Sequence, residues 1–170
     1  MNTHPRFTLL ENGSLALAII SFGIMAGFFW TYSFNVNYAM LEVDGATYAR
    51  MQSLFNVNVR HAMFFSFFAG AGILSALAVI LNVKHRQHPS FWLLLLATLI
   101  YILGIIVFTK YVNLPLNYYT ESWNPAQLPA DWQSIRDQWN QANLLRVAFA
   151  FSAFIFAIIA ILLRASSNKA

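Results

Sequence analysis

Four long apolar segments dominate the chain, near Leu15 to Met40, Ala62 to Val83, Phe91 to Val112 and Asn143 to Leu163. Each reaches or exceeds the roughly 20 residues that carry a helix across a bilayer. The expected architecture is all-α: an integral membrane four-helix bundle, residues 1–170 forming a single membrane domain. Composition agrees, because 59% of the residues are hydrophobic and 9% charged, against roughly 25% charged in soluble domains. The first segment follows a polar start, Met1 to Ser14, and is too long for a signal-peptide core, so it should remain as an anchor.

Cysteine is absent, which excludes thiolate nucleophiles, disulfide exchange and cysteine metal sites. The net charge of +4 comes from lysines and arginines at segment ends. That placement predicts contact with lipid headgroups as partners, and no nucleic acid, which would require a basic soluble surface. The loop Asn82 to Ser90, with Lys84 and Arg86 and no acid, is expected on the cytoplasmic side. Both termini then lie inside, where Arg6, Arg164 and Lys169 fit. The other face holds Arg50, Arg60, Lys110, Arg136 and Arg146, so loop length and charge density carry the orientation, not the total count.

Four spans place the ends of the first and third on the same face as the starts of the second and fourth. The unusual polar residues collect there: Asn35 and Asn37, then Asn56, Asn58, Arg60 and His61, then Lys110, Asn113 and Asn117, then Trp139, Asn143 and Arg146. Trp139, Asn143 and Arg146 follow at i, i+4 and i+7 and should share a helix face, as should Thr109 and Asn113. Pro115 lacks an N–H and crowds the Tyr111 carbonyl, so the third helix is expected to end or kink there. Irregular backbone at membrane depth needs protein or a wet cavity around it. The pattern therefore predicts a polar cavity at this end, with Arg146 paired to the Asn113 to Asn117 turn. The competing explanation is interfacial anchoring of each residue, with Arg146 snorkelling.

Small residues should form packing seams at Gly23 and Gly27, Ser66 and Gly70, and Gly72 and Ala76. Tyr48, Met51, Gln52 and Phe55 at i, i+3, i+4 and i+7 predict an extra amphipathic helix in the first loop. Trp123, Trp132, Pro125 and Pro129 suit either a lid or an aromatic belt. With Asp and Glu absent from the four apolar segments, a proton-coupled exporter is disfavoured. The histidines divide among the N-terminal tail, His61 at a helix start, and His85 and His88 in a basic loop. No intramolecular metal or haem site is expected from them.

The stretches "GIMAGFFWTYS", "YARMQSLFN", "FFSFFAGAG", "FTKYVNLPLN" and "WNQANLLR" together resemble the anthrone oxygenase-like family, also known as domain of unknown function 1772. The most specific pieces are Val112 to Asn117 and the Asn143 and Arg146 pair. Two places depart from that pattern: Arg60 and His61 replace an expected Asn-Pro, and "NVNYAM" replaces an apolar Met-Pro stretch. The resemblance implies a cofactor-independent oxidation of an electron-rich, acidic C–H by oxygen, with no cofactor and no metal. In that chemistry Arg146, Asn113, Asn117 and Asn143 stabilise the anion and His61 is the candidate base. Gln52, Lys110, Trp139 and Asn35 would contact the substrate, a hydrophobic aromatic small molecule. The alternative is a non-catalytic membrane protein holding a quinone, lipid or partner subunit. The expected location is a bacterial cytoplasmic membrane, and a homo-oligomer is left open.

Overall fold

A computed structural model describes residues 6–167; Lys169 lies outside them. The described residues form no named strand. Five helices organise them: α1 (Leu9–Leu41), α2 (Gly45–Asn58), α3 (Ala62–Leu81), α4 (Pro89–Glu121) and α5 (Trp132–Ser167). All but α2 are long and apolar enough to cross a membrane, and the chain is an integral membrane four-helix bundle. Short polar motifs set the helix starts. Thr8 and Glu11 form a capping box on α1, Asp44 caps α2, His61 caps α3, and His88 caps α4 with Pro89 in its first turn. Each cap satisfies N–H groups that the helix itself leaves open.

The membrane-length helices pack as a ring, α1 on α3, α3 on α4, α4 on α5 and α5 on α1. Small residues set the approach of α5, which presents Ala150, Ala153, Ala157 and Ala160 to Leu15, Phe22, Phe29, Leu94 and Tyr101 in one core. In lipid, close van der Waals packing replaces the hydrophobic drive between helices, and alanine permits it. Gly23 lies under the Phe154 ring and Gly72 against Ile106. Gly27 and Gly70, in contrast, have no neighbour within 4 Å of a built Cβ, and Ser66 is exposed. The expected seams at those three positions are therefore not formed.

The third span does not break at Pro115. Instead α4 runs on to Glu121 with two π-helical stretches, Ile102–Val107 and Thr109–Asn113. Pro115 falls in the first turn of the α-helical stretch that follows. The Leu114 N–H bonds back to the Thr109 carbonyl across the wider turn, which relieves the crowding a proline ring creates in a regular helix. A third π stretch, Tyr32–Val36, interrupts α1 at the same end of the bundle.

The first-loop helix is present as α2, burying Tyr48, Ala49, Gln52 and Asn56. A second core of Met40, Tyr48, Ala49 and Trp123, with Leu128, Trp132 and Ile135 against it, joins α2 to the segment before α5. Trp123 and Trp132 thus pack on Tyr48, at ring distances of 6.5 and 6.0 Å. They belong to a packed cap on the bundle.

The opposite end carries more than basic anchors. Glu11, in the first turn of α1, is buried and meets Lys84 at 2.8 Å and His85 at 3.2 Å. Arg164 is 2% exposed. Its guanidinium reaches the Ser90 hydroxyl, the Glu11 carbonyl and the Asn12 side chain and lies over the Phe7 ring. The expectation of Arg164 as a lipid-headgroup anchor is corrected by this cluster, whereas the apolar segment Leu15 to Met40 holds no acid and Glu11 lies in the polar turn before it.

Candidate functional site

A cavity of about 550 Å³ lies at the end of the bundle where α1 and α4 finish and α3 and α5 begin. Phe28, Tyr32 and Val36 come from α1, Phe55, Asn56 and Asn58 from α2, and Phe64, Phe65 and Phe68 from α3. Opposite them stand Thr109, Asn117 and Tyr118 of α4 and Trp139, Asn143 and Arg146 of α5, with Arg60 and His61 between α2 and α3. This volume falls within the ~300–1,000 Å³ of small-molecule pockets.

Two hydrogen-bond chains hold the polar wall. In the first, the Tyr32 hydroxyl donates to Gln52 at 2.6 Å, the Gln52 amide to Asn56 at 3.1 Å, and the Asn56 amide to the Thr120 hydroxyl at 3.1 Å. Thr120 donates to the Asn117 carbonyl at 2.9 Å, and the Trp139 indole donates to the Asn117 side chain at 2.6 Å. In the second, the Asn143 amide donates to the Ser33 hydroxyl at 2.7 Å and the Phe29 carbonyl at 3.3 Å, within and just before the π stretch of α1. Its oxygen accepts from Arg146 Nη2 at 2.6 Å. Arg146 is 7% exposed and lies 4.7 Å from the Phe29 ring centre and 5.7 Å from that of Trp139. Its Nε has no partner among the described residues.

Of the expected catalytic residues, Arg146, Asn117, Asn143 and His61 line the cavity, and Asn113 does not. Asn113 is fully buried, and neither end of its amide has a partner among the described residues. Arg146 pairs with Asn143 and not with the Asn113 to Asn117 stretch. Arg146 is turned inward, so it does not snorkel. The Asn143 amide is committed at both ends, which makes it the residue that orients Arg146. His61 accepts the Phe64 N–H at 3.3 Å through Nδ1, so the neutral ring carries its proton on Nε2.

Among the expected substrate contacts, Trp139 lines the cavity, while Gln52 stands behind it, holding Tyr32 and Asn56. Lys110 and Asn35 are exposed and do not line it; Lys110 lies over the Tyr111 ring at 5.3 Å. Both sit on π-helical stretches, whose extra residue per turn rotates side chains away from the face that a 3.6-residue period assigns. Tyr32, Thr120 and the Arg60–Glu121 ion pair were not legible as site residues. The i, i+4 spacing of Gln52 and Asn56 was the one signal of that chain of bonds.

Among the described residues, no group of three or more His, Asp or Glu is placed to hold a metal ion. No curated protein and no solved structure matches the chain. A family model does: the one described as anthrone oxygenase matches residues 51–156, which cover the later part of α2, all of α3 and α4, and the part of α5 that carries Trp139, Asn143 and Arg146. The chain belongs to the anthrone oxygenase family.

Proposed function

We propose that this protein is a membrane oxygenase of anthrone type, acting on a polycyclic or quinone-like precursor with oxygen and no cofactor. The observation that carries the reading is a buried arginine facing an aromatic-walled cavity without a carboxylate beside it among the described residues. A methylene flanked by aromatic rings and a ketone loses a proton to give a delocalised enolate. Arg146 would stabilise that charge as it develops, with most effect where water is scarce. The enolate carbon then reacts with oxygen to give a hydroperoxide, which loses water to leave the ketone. The sum is CH2 plus O2 giving C=O plus H2O, so no reductant is required.

Asn117 would contribute its amide N–H, its oxygen being held by Trp139. The rings of Tyr32 and Trp139, 4.7 Å apart, would lie against a flat substrate, with the Phe64 and Phe68 stack on the α3 side. A single membrane domain with both termini cytoplasmic places the cavity at the non-cytoplasmic end. Purified protein assayed with a model anthrone should raise quinone formation above autoxidation in air and not under nitrogen. No rate above that background would leave a non-catalytic holder of a quinone, lipid or partner subunit as the better account.

A further inference from the structure

Two guanidinium groups line the cavity, and only one is neutralised. Arg60 reaches Glu121 through both terminal nitrogens, Nη1 to Oε2 at 3.1 Å. Arg146 has the Asn143 amide oxygen, two aromatic faces and an unused Nε. A cation taken out of water without a counter-ion is costly, and a chain that keeps one facing an open cavity is arranged for an anion. Among the described residues, no element lining the cavity supplies that anion. Within the cavity wall α1 offers Tyr32, whose hydroxyl donates to Gln52. α2 offers amides and apolar groups, and α3 offers phenyl rings. The α2–α3 connection offers Arg60 and His61, and α4 offers Tyr118, Asn117 and Thr109. Among the described residues no carboxylate lines the cavity, and the one imidazole has its free electron pair on the Phe64 N–H.

We propose that the cavity takes its ligand as an aryl-oxide anion, the deprotonated oxygen lying on Arg146, and that no cavity side chain accepts the proton, which passes to water. This rests on the reading of the cavity as the substrate site and deepens it: Arg146 selects the ionised form, and the ligand's own acidity replaces a protein base. The aryl character follows from Tyr32, Trp139, Phe64 and Phe68 on the cavity wall, whose flat faces suit a ring better than an alkyl chain.

The test uses the full chain in lipid nanodiscs and 2-naphthol, which has no reactive methylene, so that its readout is independent of turnover. Absorbance reports the ionisation midpoint of the bound naphthol. The wild-type protein should lower that midpoint by one pH unit or more relative to empty nanodiscs. At a pH where naphthol is ionised, 2-methoxynaphthalene, which cannot ionise, should bind at least tenfold more weakly. Arg146→Gln should restore the empty-nanodisc midpoint, Arg146→Lys should keep part of the shift, and Arg136→Gln, a change outside the cavity lining, should leave it whole. An unchanged midpoint with wild-type protein, equal binding of the methoxy compound, or loss of the shift in His61→Gln would overturn the proposal. Decanoate binding more tightly than naphtholate would overturn the aryl assignment. Naphtholate binding with no anthrone oxidation would instead sink the oxygenase reading and leave this one standing.

Discussion

Arg146 and Arg164 sit on the same helix, both buried, and they answer to different partners. Arg164 donates to three oxygens of α1 and α4 and keeps only Nη2 without a partner among the described residues, whereas Arg146 meets one amide and two rings. Arg164→Ala should therefore lower stability by about 2–3 kcal/mol, from hydrogen bonds to a charged group lost in a buried setting. Thermal unfolding in detergent checks this, with the exposed Arg86→Ala as a control expected within about 0.5 kcal/mol of wild type. Arg146→Ala should instead spare stability relative to Arg164→Ala and reduce anthrone turnover by about 10²–10³, the loss typical of one oxyanion donor. Arg146→Lys should also impair turnover, because the planar fork held by Asn143 is lost. A pH effect belongs to His88, whose imidazole is held below its usual range by burial and then by the charges of Arg164 and His85. The folded chain thus binds that proton less readily than the unfolded one. Stability should fall as pH drops below about 6.5, the unfolded value, and level off below the folded pKa. His88→Asn, which retains a capping side chain, should flatten this dependence between pH 7.5 and 5.5. At this scale the inward face of Trp139, Asn143 and Arg146 was legible, because a regular α-helix preserves their spacing. Arg164 was not, since "LLRASS" reads as a helix-end anchor and its acceptors lie more than 70 positions away in the sequence.

Among elements, α4 holds the least regular backbone and the tightest helix contact. A Cβ built on Gly104 comes within 2.4 Å of the Phe149 ring, within the first π stretch. Gly104→Ala should therefore destabilise, even though alanine is favoured over glycine by about 1 kcal/mol in a helix interior. Gly27→Ala, with nothing within 4 Å, should be neutral or slightly stabilising. A pair of melting curves decides the point; equal effects from the two substitutions would mean that the α4–α5 contact yields easily. The four long helices and α2 could be read from apolar length and from the Tyr48, Met51, Gln52 and Phe55 spacing. Their ends could not: α4 extends to Glu121 and α5 starts at Trp132, because polar helical turns beyond the apolar runs carry no hydropathy signal. The π stretches were illegible for a related reason. Composition does not mark a one-residue change of register, and that change moved Asn35 and Lys110 off the cavity wall.

For the molecule as a whole, the two ends are built on different principles. One end is knotted shut, with Glu11, Lys84, His85 and Arg164 drawing α1, the α3–α4 connection and α5 together. At the other, α2 and the Trp123 cap surround a cavity, and α2 is tied to α1 and α4 through Gln52, Asn56 and Thr120. A bundle closed at one end and hollow at the other holds its site near one membrane face, so its orientation decides which compartment the site lies nearest. The short connection Asn82 to Ser90 is basic, but Glu11 takes Lys84 and leaves Arg86 exposed. Exposed arginine near a short loop still favours the cytoplasmic face. With four spans, Gln87 and Gln127 lie on opposite sides, and both are outside the packed cores. Because the chain has no cysteine, Gln87→Cys and Gln127→Cys each provide a single thiol. An impermeant maleimide applied to intact cells should label the Gln127→Cys protein at once and the Gln87→Cys protein only after lysis. Labelling of both from outside would break the four-span topology, and the reverse pattern would place the cavity on the cytoplasmic side.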